Sequence, residues 1–364
     1  MINVTKAFLP PLEEYTAYLH GVWDRGHLTN SGPLVLELEE KLRRQLGVKH
    51  LFFVSNGTIA LQIAIKALAL EGDVLTTPFS YVATTSAIAW EGCNPVFVDI
   101  EGDGLCLDPT LLEQSITPQT SAIMATHVYG NPCDVEAIAE IAERHNLPVI
   151  YDAAHAFGVE YKGKSLLSYG TVSTISFHAT KLFHTVEGGA IVTNDDGIAH
   201  KIAYMRNFGH NGPEAFWGVG VNGKNSEFHA AMGLAVLPYV QRIIERRREL
   251  SELYDNLLVN SGVTRPAIRS GTEYNYAYYP IIFPSEEKLL DVQAQLVANG
   301  VIPRRYFYPS LSELPYANKH RMLVSEETSR RVLCLPLYYE LTNNEVSLIA
   351  AFINAHSNGI MPAS

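Results

Sequence analysis

The sequence predicts an α/β fold with a mostly parallel sheet, followed by a smaller α+β domain, and three observations predict it. Between about residues 50 and 195, short β-branched runs alternate with helical patterns, the mark of a parallel sheet covered on both faces. From 234 to 258 a long charged helical stretch reads as a spine between two domains. After it comes a second, shorter mixture of strand-like and helical segments. The expected division is 1–240 for the large domain, with its N-terminal segment, and 241–364 for the small one.

The elements follow in order. "HLFFVS" (50–55) reads as a strand and "TIALQIAIKALAL" (58–70) as a helix apolar on most faces, hence buried. "VLTTP" (74–78) is strand-like, "YVATTSAIAWEG" (81–92) helical and "NPVFVDI" (94–100) a strand. "TSAIMATHVYG" (120–130) is a further strand. "DVEAIAEIAERHN" (134–146) is an amphipathic helix with Asp134 in the capping position. "LPVIYDAAHA" (147–156) is a strand ending at Asp152. The apolar run 172–177 and the run 190–193 flank a turn that carries Lys181. In the second domain, 274–283, 286–300 and 343–356 supply strand and helices.

The bulk numbers exclude several classes. The chain has 364 residues, 47% hydrophobic and 18% charged, enough for a large core. A net charge of −11 argues against a nucleic-acid partner. The four cysteines form no CxxC pair, so neither a zinc site nor a disulfide scaffold is expected, and no metal; a cytoplasmic setting fits. The most apolar stretch, 51–70, is interrupted by polar residues and is no membrane span.

Ligands of open α/β sheets sit at the carboxyl ends of the strands. The polar residues there are Ser55-Asn56-Gly57-Thr58, Asp152 with His155, Ser176 and Lys181. "SNGT" opens a buried helix, so its free N–H groups and the Thr58 hydroxyl suit a phosphate; a tight turn with Thr58 as cap is the plainer reading. Asp152 ends a buried strand, where a carboxylate needs a cation, or else caps a turn. His155 either orients that carboxylate or is a satisfied core histidine. Lys181 alone reads as a solvated lysine. Gly188-Gly189 beside it would leave room for a bulky planar group, and Tyr81 could stack on a ring. A phosphate site, a buried carboxylate and a sheltered amine together describe pyridoxal phosphate. A nicotinamide enzyme would need GxGxxG after the first strand, where "SNGT" stands.

With these motifs in place, the chain resembles the DegT/DnrJ/EryC1/StrS family of pyridoxal-phosphate sugar aminotransferases over nearly its whole length. The resemblance rests on 26–42, "VSNGTIAL" (54–61), "TTPFSYVATTSAI" (76–88), "VIYDAAHAFG" (149–158), "ISFHATKLFHTVEGGAIVTND" (175–195), 218–234 and "RRYFYPSL" (304–311). It implies an aspartate-aminotransferase-type fold (pyridoxal-phosphate fold type I), with a mixed, mostly parallel sheet. Lys181 would be the Schiff-base lysine. Asp152 would meet the pyridinium nitrogen, and Gly57, Thr58 and Ser176 the phosphate. Tyr81 would stack on the ring, His155 would lie near its phenolic oxygen, and Asn222 would reach the phosphate of a partner subunit in a homodimer with shared sites. Lys224, Tyr306 and Tyr308 are implied substrate contacts. Lys224 stands where members often carry an arginine, and Ser312 where many carry a histidine. The implied reaction moves an amino group from L-glutamate to a nucleotide-linked ketosugar, dTDP-4-keto-6-deoxyhexose above all, for a surface polysaccharide such as O-antigen. Amination at C3 is the rival, and a catalytically silent partner or sensor protein the alternative from another class.

Overall fold

A computed structural model describes residues 1–317 and 320–357. Its central sheet has seven strands: β1 (His50–Val54), β2 (Asp73–Thr76), β3 (Asn94–Phe97), β4 (Thr120–Thr126), β5 (Val149–Asp152), β6 (Val172–Ser176) and β7 (Gly189–Thr193). Their order is β1-β7-β6-β5-β4-β2-β3. β7 runs antiparallel to both its neighbours, and every other pairing is parallel. The mostly parallel, mixed sheet expected from the sequence is present.

Strand side chains alternate between faces, and the two faces bury separate cores. Val54, Val74, Met124, Ile150, Val172 and Ile191 point to one side. There they meet the apolar faces of α3 (Gly57–Ala67), α4 (Ala83–Trp90) and α6 (Asp196–Met205). Phe53, Leu75, Ile123, Tyr151, Ala190 and Val192 point to the other. That side is covered by α2 (Pro33–Gln45), α5 (Val135–His145) and α7 (Glu227–Val236), with α1 (Leu12–Arg25) outside α7. Asp134 caps α5 as expected, its Oδ1 accepting from Ala137 N at 3.1 Å.

The stretch 234–258 is not one helix. α7 ends at Val236, a 3₁₀ turn spans Leu237–Tyr239, and α8 runs Val240–Leu258. Pro238 lacks the N–H that a continuous helix would require. α8 buries Val240 and Ile243 in the large core, and Leu250, Tyr254 and Leu258 in a second one. That second core is closed by the antiparallel pair β8 (Tyr279–Ile282) and β9 (Val332–Leu335). α9 (Glu286–Ala298) and α11 (Asn343–Ser357) pack on it, and α10 (Leu323–Arg331) leads into β9. Ile2–Asn3 pairs in parallel with Val301–Ile302. Among the described residues no helix is long and apolar enough to cross a membrane.

Register decides what lies along the carboxyl edge of the large sheet. Gly189, which opens β7, pairs with Val54 at the end of β1 and with Ser176 at the end of β6. Asp152 ends β5 and pairs with Thr126, which ends β4. The reversed strand therefore brings the β6–β7 turn, with Lys181, to the same edge as the other strand ends.

Candidate active site

A cleft of about 330 Å³ opens along this edge. Gly57, Thr58, Tyr81, Asp152, His155, Ser176, Lys181 and Tyr306 all line it. Lys181 is carried by a tight turn whose backbone closes on itself through Phe177 N–Gly188 O and Ala179 N–Val186 O, both 2.8 Å. Its Nζ donates to Tyr278 Oη at 3.1 Å. Burial of the ammonium lowers its pKa to about 8, against the opposing pull of Asp152, Tyr306 and Tyr81.

Asp152 is 6% exposed. Burial raises its pKa; a hydrogen bond from Thr84, the Ala154 N–H and the Lys181 charge each pull it back toward the ionised form. Thr84 Oγ1 donates to Oδ2 at 2.7 Å and Ala154 N to Oδ1 at 3.1 Å. His155 does not orient this carboxylate. Its Nδ1 accepts from Tyr129 N at 3.1 Å, which leaves the proton on Nε2, and burial holds its pKa well below the ordinary value. The ring stacks on Phe307 at 5.7 Å between centroids.

The turn before α3 is capped by Asn56, not Thr58: Asn56 Oδ1 accepts from Ile59 N at 2.8 Å. The first N–H groups of a helix have no acceptor within it, so those of Gly57 and Thr58 remain for a ligand. A Cβ on Gly57 would stand 3.1 Å from Ser176 Cβ. Tyr81 is 60% exposed and offers a free ring face at the mouth.

The glycine pair serves a different purpose from the one its position suggests. A Cβ on Gly189 would stand 2.7 Å from the Asn56 carbonyl carbon, and one on Gly188 would stand 2.0 Å from Thr185 Oγ1. Both glycines make room for neighbouring protein atoms, not for a planar ligand; Gly189 lets β7 approach the start of α3.

The other expected residues lie apart. Asn222 and Lys224 are not at this cleft; Lys224 Nζ donates to Asn222 Oδ1 at 2.6 Å on an exposed loop. That loop is tied to the chain's own strand end by Ser55 N–Gly223 O at 2.7 Å. Tyr308 lines an adjoining groove that shares Tyr81, Tyr306 and Phe307 with the cleft. Ser312 is turned inward, 3.0 Å from Ser310 Oγ. Among the described residues no His/Cys/Asp/Glu cluster could hold a metal ion.

A family-wide sequence profile, that of the DegT/DnrJ/EryC1/StrS aminotransferase family, matches residues 12–354. The chain belongs to that family. As a member it is an aminotransferase, and its architecture is of the aspartate-aminotransferase type. It is 42% identical over 359 residues to dTDP-4-amino-4,6-dideoxy-D-glucose transaminase of Shigella dysenteriae, covering 97% of this chain and 98% of that one. The Escherichia coli protein of the same name is 42% identical over 357 residues, 95% of each chain. The solved structure of DesI in the presence of its TDP-sugar product superposes with a TM-score of 0.94 at 32% identity, over 99% of this chain and 94% of that one.

Two side chains, Thr84 and Tyr278, which hold this aminotransferase's Asp152 and Lys181, escaped sequence reasoning. Thr84 lies three residues after Tyr81, its N–H donating to the Tyr81 carbonyl at 3.1 Å, but a threonine in a buried helix carries no mark of its partner. Tyr278 is one of four tyrosines within 274–279, and nothing in that run singles it out.

Proposed function

We propose that the protein binds pyridoxal phosphate in this cleft and transfers the amino group of L-glutamate to C4 of a dTDP-4-keto-6-deoxyhexose. The carrying observation is a half-buried amine of lowered pKa and a buried carboxylate, Lys181 and Asp152, in one cleft whose end is a helix N-terminus. The residues present fit the cofactor. The N–H groups of Gly57 and Thr58 and the Ser176 hydroxyl suit its phosphate, Asp152 its ring nitrogen, and Tyr81 its ring face. When bound, the cofactor supplies an electrophilic carbon and a ring that accepts electron density from the substrate carbon.

The chain's own groups do the rest. Near neutral pH a useful fraction of Lys181 is an uncharged amine, able to take a proton at Nζ and return it. Tyr278 Oη accepts from Nζ and limits where that amine can point. An ionised Asp152 favours a protonated nitrogen opposite it. His155 and Phe307 pack as a flat wall that excludes water. Tyr306 and Tyr308 form the substrate-side rim.

The substrate reading is supported by the 42% identity to the two dTDP-sugar transaminases. The product would be a 4-amino-4,6-dideoxy sugar for a surface polysaccharide, made in the cytoplasm. The exposed loop carrying Asn222 and Lys224 would complete the site of a second copy in a homodimer. Purified protein should be yellow, and borohydride should fix the cofactor's mass on the Lys181 peptide. A colourless protein that gains no mass there when pyridoxal phosphate is supplied would overturn the cofactor reading. A screen of nucleotide ketosugars with glutamate, with the new amine located by NMR, tests the substrate.

A further inference from the structure

Asp152 is held by more than one hydroxyl. Thr84 Oγ1 donates to its Oδ2 at 2.7 Å, Ser80 Oγ lies 2.8 Å from Thr84 Oγ1, and Thr126 Oγ1 lies 3.1 Å from Ser80 Oγ. All three hydroxyl residues are buried. A hydroxyl has one proton and an ionised carboxylate has none to give. Thr84 spends its proton on Asp152, so Ser80 must donate to Thr84, and Thr126 to Ser80. The direction of the whole series is therefore set by the carboxylate at its end.

The plain alternative is a buried helical threonine satisfying itself. Such hydroxyls commonly bond the carbonyl four residues back, as Ser251 does to Arg247 O at 2.8 Å and Thr16 to Leu12 O at 3.0 Å. Thr84 instead reaches out of α4 to a residue 68 positions away. Thr84 and Ser80 come from the start of α4 and the loop before it, and Thr126 from the end of β4, so a relay drawn from two distant parts of the chain ends on one carboxylate oxygen. Lys181 is the charged group facing Asp152 across the cleft. His155, on the same wall, is neutral and turned to Tyr129. His127, whose N–H meets the Asp152 carbonyl, has its Nδ1 engaged by Cys133 N.

We propose that Thr84 is a positioning residue for Asp152, with Ser80 and Thr126 donating in series to its hydroxyl and so strengthening its bond to the carboxylate, so that Asp152 meets the cofactor's ring nitrogen as an oriented, ionised acceptor. The proposal rests on the pyridoxal-phosphate reading of the cleft.

The test compares two ligands in each variant: pyridoxal phosphate and its 1-deaza analogue, whose ring nitrogen is a carbon. Equilibrium affinity for both is measured on full-length apoprotein. The wild type should prefer pyridoxal phosphate. Thr84→Val should cut that preference roughly 10- to 100-fold, the scale of a hydrogen bond to a charged group, with little effect on the deaza analogue. Thr84→Ser should restore the preference. Should the valine variant melt too low to load, Ser80→Ala carries the test. Without Ser80, the Thr84 hydroxyl loses the donor that polarises it and gives Asp152 a weaker bond, and the preference should drop about threefold, the scale of a single neutral hydrogen bond. Equal weakening of both ligands, or an unchanged preference, would mean that the hydroxyls only satisfy one another and overturns the proposal. A wild type with no preference for the ring nitrogen overturns the cofactor reading itself, before any variant is made.

Discussion

Replacing Asp152 by asparagine should move the titration of Lys181 downward, and this can be read without turnover. In the wild type, burial lowers the amine from the ordinary 10.5 to about 8, and Asp152 is the first of the groups holding it up. At pH 7 that fall multiplies the uncharged fraction roughly 300-fold over a solvated lysine. Removing the carboxylate removes a favourable charge for the ammonium and leaves the desolvation, so the midpoint must drop further. The assay is trace reductive methylation of apoprotein with formaldehyde from about pH 6 to about pH 11, with each lysine quantified by peptide mass. Lys181 labelling should reach its plateau above a midpoint near 8, while solvated lysines keep rising. In Asp152→Asn the plateau should arrive at lower pH. A wild-type midpoint near 10.5, or an upward shift in the variant, would refute the reasoning, because either would mean that the amine is solvated or that the carboxylate does not reach it.

Four further outcomes are expected. Lys181→Ala should abolish transamination, since among the described residues no other amine lines the cleft; turnover near wild type would remove Lys181 from its role. Gly189→Ala should cost about 1–3 kcal/mol of stability and weaken pyridoxal phosphate binding, because the new Cβ meets the Asn56–Gly57 backbone; denaturant titration and equilibrium dialysis read the two effects. Glu227 is fully buried and accepts from Leu34 N and Val35 N at 3.1 and 3.0 Å, closing the start of α2. Glu227→Gln should lower the denaturation midpoint by about 1.5–3 kcal/mol equivalent, with unchanged stability counting against that role. Mixed subunits of Lys181→Ala and Asn222→Ala should regain roughly a quarter of wild-type activity if sites are shared between copies, and none if Asn222 serves its own chain.

Most of the large sheet was legible because its strands are buried on both faces and stand out as short β-branched runs between turn residues. Strand order was not legible. That β7 inserts antiparallel between β6 and β1 depends on its pairing with β1, more than a hundred residues upstream, and local pattern does not carry that pairing. The break at Pro238 was readable in principle, yet the long charged periodicity that follows it masked the proline. Within the site, Asp152 and Lys181 stood out because a charge beside apolar runs demands a reason. Thr84, Ser80 and Thr126 did not, since buried hydroxyls are ordinary and their value lies in what they face. The glycine pair was correctly singled out and wrongly explained: sequence shows that a side chain is missing, not which neighbour needs the space.

One nitrogen should pass from glutamate to C4 of a nucleotide-linked 4-ketosugar with Lys181 as the moving base. Incubating the enzyme with ¹⁵N-glutamate and dTDP-4-keto-6-deoxyglucose, and reading the product by ¹⁵N–¹³C correlation, tests it directly. The label should appear on C4 with the wild type, and no labelled product should form with Lys181→Ala. Label on C3, or equal transfer by the variant, would contradict it.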